Sequence, residues 1–418
     1  MRERLRRLLV LLGTIALAFL GGCGHRVARP PTAAKAGIVF EPAPAELGGG
    51  EYGFDCGHPL VSSAGLYMIG GQRASEMKAS ASSSQRVTLR GPSSFSKELD
   101  GVVWLVGAAH PGRPELVLLG GHVRPFPELG PEAPEVGVFA LKLNARGEVI
   151  WRRSIADSDP EGNKIVSESV ALDAEGRLLL LSIGTHRKVA ALLGGVGSSA
   201  DETGFLERIE LPGRHTLLRR ASKGEWYSDF AASDSGAVYL VEGQDDGASL
   251  SRLDSVGNVV WRREDPFWME SVAEDGEGGA WVATRVYDTP SRSSARAFHY
   301  DRSGQLHGGF SVGDARSPGD RRNMARQTIL QFVVDGRGRI WVSGHFTDSM
   351  ALGSFRLYTR EFYGQFFLAL LDGALEPRSV LALDHETQVE LRRYGDHVLV
   401  VHEDADRRCS VHSLGGPE

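Results

Sequence analysis

The sequence predicts an all-β fold built from repeated four-stranded units. Glycine supplies 52 of the 418 residues, above the ~7% usual in globular chains, and helices tolerate glycine poorly. A four-residue turn that opens on Asp, Asn or Ser and closes on Gly recurs between apolar runs. These turns come in two alternating kinds, and the shorter intervals between them match a four-stranded blade of about 40–50 residues. Together these features describe a single β-propeller of six to seven four-stranded blades, preceded by a signal peptide and a flexible tether.

In chain order, Arg2, Arg4, Arg6 and Arg7 make the first segment positive, and Leu8 to Leu20 then carries no charge. This is a positive n-region followed by an apolar h-region. A membrane-spanning helix needs about 20 apolar residues, so the run reads as a signal peptide over residues 1–22. Leu20-Gly21-Gly22-Cys23 closes it and resembles the lipobox of bacterial lipoprotein precursors. The resemblance implies diacylglyceryl transfer to the Cys23 thiol, cleavage between Gly22 and Cys23, and acylation of the new amino terminus. Two or more acyl chains anchor stably where one is marginal, since each buried methylene contributes about 0.8 kcal/mol. Gly24 follows the cysteine, where Asp favours inner-membrane retention in didermal lipoproteins. The expected location is therefore outside the cytoplasm, lipid-anchored at the outer membrane.

Residues 23–52 are expected to form a lipidated tether, because Arg29-Pro30-Pro31-Thr32 and Glu41-Pro42-Ala43-Pro44 suit extended chain. Residues 53–418 are assigned to the propeller. Cys56 and Cys409 fall near its two ends. In an exported chain such a pair is a disulfide candidate, and here it would latch the ring; two free buried thiols are the alternative.

The turns justify the blades. The first kind includes Asp173-Ala174-Glu175-Gly176, Ser233-Asp234-Ser235-Gly236, Asp275-Gly276-Glu277-Gly278 and Asp335-Gly336-Arg337-Gly338. The second includes Asn144-Ala145-Arg146-Gly147, Asp254-Ser255-Val256-Gly257 and Asp301-Arg302-Ser303-Gly304, with a looser copy at Glu210 and a shortened one at Asp372-Gly373. The first side chain accepts bonds from backbone groups beyond it, and the fourth residue takes positive φ. Leu116 to Leu119 and Leu178 to Leu181 lack polar alternation, as strands buried on both faces do. Leu116–Val123 also corresponds to Ile340–Phe346, with Gly121-His122 matching Gly344-His345.

A strand ending in Gly, a loop, a Phe-x-Ala-x-Leu strand and a Gly-x-x-x-Trp strand recur over roughly residues 100–385. This pattern resembles the β-propeller repeats of bacterial surface and secreted proteins. It is also similar to quinoprotein-type propellers and to propeller lipoproteins of outer-membrane assembly. Such a resemblance implies a fold and leaves function to its sites.

No nucleophile elbow, His-Glu-x-x-His or P-loop is present, so no catalytic residue is assigned. Trp151, Trp261, Trp281 and Trp341 are expected to pack between blades. One loop has calcium spacing, with Asp157, Asp159, Glu161, Gly162 and Glu168 at positions 1, 3, 5, 6 and 12; a solvated acidic loop is its plainer reading, and no other cofactor is expected. The net charge of −6, with both signs interspersed, provides no footprint for nucleic acid. The expected role is a non-enzymatic binding or assembly scaffold with a protein or glycan partner. The alternatives are an envelope hydrolase or lyase with a site on the propeller face, and a component of an outer-membrane assembly complex. Titratable groups clustered in the central channel would favour an enzyme, and small or apolar lining a scaffold.

Overall fold

A computed structural model describes residues 38–42, 51–52, 58–71, 85–91, 96–125, 127–156, 170–183, 204–210, 214–222, 225–244, 247–289, 292–315, 326–359, 364–383, 389–403 and 409–415. These form an all-β propeller of six blades, each a continuous antiparallel sheet. Blade I contains β3 (His58–Ser62), β4 (Gly65–Gly71), β5 (Gln85–Arg90), β6 (Ser96–Ala109), β7 (Leu116–His122), β8 (Gly137–Leu143) and β9 (Val149–Ala156). Blade II contains β10 (Val170–Leu172), β11 (Leu178–Ile183), β12 (Gly204–Glu210) and β13 (Arg214–Arg220). Blade III contains β14 (Trp226–Ala232), β15 (Val238–Gln244), β16 (Gly247–Leu253) and β17 (Val259–Asp265), and blade IV β18 (Trp268–Glu274), β19 (Ala280–Thr289), β20 (Arg292–Tyr300) and β21 (Leu306–Val312). Blade V contains β22 (Gln327–Val334), β23 (Ile340–Phe346), β26 (Gln365–Leu371) and β27 (Pro377–Ala382). A separate hairpin, β24 (Ser349–Leu352) and β25 (Phe355–Tyr358), is inserted between its second and third strands.

Blade I is double. The first half of β6 pairs with β5 from Ser96 to Val102, and its second half pairs with β7 from Val102 to Ala109. Gly101, at φ +85, sits at the corner. One strand is thus the outer edge of one four-stranded unit and the inner strand of the next. Six sheets therefore fill seven positions around the axis.

The ring closes through strands from both ends of the chain. Blade VI contains β28 (Val389–Tyr394), β29 (His397–Glu403) and β30 (Cys409–Gly415), and its outer strand is β1 (Val39–Pro42), with β2 (Glu51–Tyr52) also on β30. Both β1 and β2 lie within residues 23–52, the stretch read as tether, so strand pairing starts earlier than residue 53. The physical reason is position: Pro42 on an outermost strand removes no ladder bond from a neighbour.

The turns are built as the sequence predicts. Asp254 Oδ1 accepts from Val256 N and Asn258 N, both at 2.9 Å. Asp173, Asp275, Asp301, Asp335 and Asn144 repeat the bond from the residue four positions on. The closing glycines Gly147, Gly176, Gly236, Gly257, Gly278, Gly304 and Gly338 have positive φ. Two details differ. The turn at Asp372 is of full length, with Leu375 at φ 64 in the glycine place. And the match between histidines is off by one residue: Gly120 pairs with Phe139 as Gly344 pairs with Phe367, so His122 corresponds to Phe346 and His345 to Gly121.

Packing follows the repeats. Leu116–Leu119 and Leu178–Leu181 are buried throughout, each side chain contributing about 1.5–3 kcal/mol. Trp151 packs against a cluster shared by blades I and II. Trp261 lies 6.2 Å from Tyr300 of blade IV, Trp281 5.8 Å from Phe332 of blade V, and Trp341 beside Val389 and Leu391 of blade VI. All four fill seams between blades.

Candidate functional site

Seven inner strands, β3, β6, β10, β14, β18, β22 and β28, surround a central cavity of about 1090 Å³. Every inner strand leads into a turn at one end, so the Asx turns gather on one face. The starts of the inner strands and the loops between second and third strands gather on the other. The inserted hairpin of blade V belongs to this loop face.

On three successive inner strands the ladder is interrupted by a one-residue bulge, at Ser228, Glu270 and Leu330. A bulge re-aims the residues next to it. Neighbouring inner strands do not share a backbone ladder, and side chains bridge the gap. Asp229 Oδ2 accepts from Val272 N of the next blade at 2.8 Å, while Oδ1 accepts from Phe230 N at 2.8 Å. Gln331, at the same position of β22, accepts from Leu391 N at 2.7 Å. Arg392 Nε donates to Pro59 O at 3.1 Å, joining blade VI to blade I.

Four further channel charges form two pairs. Glu270 Oε1 lies 2.7 Å from Arg285 Nη2, which also donates to Thr328 Oγ1 at 2.9 Å. Burial pushes the Glu270 carboxyl up, against the opposing pull of Arg285. Arg392 Nη2 meets Glu390 Oε2 at 2.6 Å. Between these groups the lining is small or apolar, as at Gly107, Ala108, Val170, Ala171 and Val272.

Sequence reading did not single out Asp229, Glu270, Arg285, Gln331 or Arg392. One signal was available: the polar residue just before the apolar triplet of the first repeat, Asp229, Ser271 or Gln331, recurs in register. Of the residues that were singled out, Gly22, Cys23, Cys56, Asp157, Asp159, Glu161 and Glu168 lie outside the described residues. Cys409 is buried in β30 and disulfide-bonded, and Tyr52 is its register partner. Among the described residues there is no His, Cys, Asp and Glu cluster suited to a metal ion.

No family model matches the chain, and no curated protein matches it in sequence. Among solved structures it is similar to the Dos1 propeller, at 10% identity and TM-score 0.47, covering 90% of this chain and 96% of that one. It is similar to streptogramin B lyase at 13% identity and TM-score 0.44, covering 91% and 97%. The virginiamycin B lyase of Staphylococcus aureus follows at 10% identity and TM-score 0.44, covering 87% and 98%. At such identities and TM-scores these likenesses say nothing of activity.

Proposed function

We propose that the protein is a lipid-anchored propeller of the cell envelope that acts as a non-enzymatic binding or assembly scaffold. The observation that carries this reading is the commitment of the channel's polar groups to the fold. Asp229 and Gln331 hold neighbouring strands, Glu270 faces Arg285, and Glu390 faces Arg392. A general acid–base site would instead hold a proton-transferring group against substrate, beside a second such group or a nucleophile. The disulfide at Cys409 suits an oxidising compartment outside the cytoplasm.

The test is fractionation of a Cys23→Ala variant together with crosslinking of the wild type in cells. The variant is expected to be soluble and folded, and the wild type to co-purify with a partner. A variant that stays in the membrane fraction rejects the lipid anchor. One observation favours a second reading, an envelope hydrolase or lyase: burial raises the Glu270 carboxyl toward the state a general acid needs. Crosslinking that recovers no partner, together with turnover of an envelope substrate that Glu270→Gln abolishes, would select it.

A further inference from the structure

At the loop face, blade IV leaves large aromatic side chains in solvent. Trp268 is 45% exposed and Tyr287 58%. Trp226 stands behind Trp268, its ring 5.2 Å away and tilted by 37°. The Trp226 ring lies so close over the backbone of Gly243 that a Cβ there would overlap it. Trp226 and Trp268 occupy equivalent starts of β14 and β18, so the repeat places two indoles side by side on the loop face.

Polar groups beside the rings are held in place. Arg285 is the register partner of Trp268. It is fixed by Glu270 and Thr328, donates to Tyr287 Oη at 3.3 Å, and sits 5.9 Å from the centre of the Tyr287 ring. Two consequences decide the ligand chemistry. The cation site over Tyr287 is already filled by Arg285, which disfavours a cationic ligand. The Arg285 charge is balanced by Glu270, which disfavours an anionic one. What remains is exposed ring surface next to oriented, net-neutral hydrogen-bonding groups that line the cavity. An uncharged ring that is apolar on its faces and hydroxylated at its edge fits both features.

We propose that this loop-face surface is a subsite for a neutral oligosaccharide, one pyranose ring stacking on Trp268 against Tyr287 while its hydroxyls bond to Glu270, Arg285 and Thr328. This rests on the reading of the protein as a binding propeller and specifies one of its partners.

The experiment uses the full chain in a detergent without sugar headgroups. Cellohexaose, maltohexaose and chitohexaose are titrated by calorimetry and tryptophan fluorescence, with a hyaluronan hexasaccharide and a chitosan hexamer as anionic and cationic controls and an uncharged hexapeptide as a third. At least one neutral sugar is expected to bind and to protect Trp268 from oxidation by N-bromosuccinimide. Trp268→Ala and Tyr287→Ala should each weaken binding about tenfold, as loss of a contact aromatic does, with the melting temperature unchanged. If the variants unfold, the protection of Trp268 in the wild type decides alone. The proposal fails if no neutral sugar binds, if only a charged sugar or the peptide binds, or if sugar binds without protecting Trp268. Failure here with a protein partner still captured by crosslinking would leave the scaffold reading standing.

Discussion

Arg208 of blade II donates from Nη2 to the carbonyl of Gly236 in blade III at 2.8 Å, and from Nη1 to Ser255 O. It is 4% exposed, and Nε lies 3.2 Å from Asp173 Oδ2. One guanidinium therefore ties its own blade's turn to two turns of the next blade. The device recurs with other residues. Tyr239 donates to Gly278 O, Trp261 Nε1 to Arg302 O at 3.0 Å and Arg263 to Gly304 O at 2.7 Å. The turn face thus carries a run of interblade bonds from blade II to blade IV.

Arg208→Leu should destabilise the propeller by about 1–3 kcal/mol, because it strands two carbonyls, while Asp173 keeps its bond from Arg177. Arg208→Lys keeps the charge but lacks the planar fork for two carbonyls, and should fall between. Urea midpoints of the three proteins, compared at constant slope, measure this. Equal midpoints for Leu and wild type would show that the bonds add nothing.

Two glycines separate backbone strain from close packing. Gly257, at φ +93, rests on Leu218 of blade II, where a Cβ would overlap the Leu218 carbonyl oxygen. Gly338, at φ +73, has no atom within 4 Å of that position. Gly338→Ala should cost about 1–2 kcal/mol for the left-handed backbone alone. Gly257→Ala should cost more, since overpacking adds about 1–3 kcal/mol. Thermal melts of both variants test the ordering, and equal losses would contradict it.

The turns were legible in the sequence because their chemistry is local: Asp254, Gly257 and Asn258 act within five residues. Less was legible where geometry depends on distant partners. The bulge at Glu270 has no residue signature, and neither does the pairing of Asp229 with Val272. The one-residue error at His122 arose because two Gly-His pairs look alike while the packing of Phe139 on Gly120 sets the register. Leu375 hid a whole turn because its left-handed backbone is held by packing against blade V and not by the usual glycine. Pro42 made an outer strand look like linker. The channel escaped for the same reason: its polar groups are spread over four inner strands and β19.

The turns also predict sensitivity to acid. Asp301 accepts bonds from Ser303 Oγ at 2.7 Å and from Gln305 N and Ser303 N at 2.8 Å, which hold its carboxyl at about 2. Asp254 and Asp372 are lowered as well, chiefly by the Asn258 side chain and by Glu376 N. A folded-state value below the unfolded one, about 3.9, means stability that is present above pH ~4 and lost as pH falls toward ~2. Urea midpoints should be level near neutral pH and drop across that window. Asp301→Asn should flatten part of the drop, and an unchanged profile would remove Asp301 from the account.

The ring closure gives the last prediction. Tyr52 pairs with Cys409 in the ladder between β2 and β30, and Cys56 follows Tyr52 by four residues. Extended chain advances about 3.3 Å per residue, so Cys56 is within reach of Cys409, whose sulfur is in a disulfide. We infer that the two are bonded. The bridge would then hold the N-terminal strands on the final blade, beside their backbone pairing with β30. A loop of this length contributes about 5 kcal/mol in the chain-entropy model. Denatured, unreduced protein should show neither thiol to an alkylating reagent, and peptide mapping should recover Cys56 joined to Cys409. Reduction should lower the melting temperature, as should Cys56→Ser, and the two effects should not add. Two alkylated thiols, or additive losses, would reject the latch.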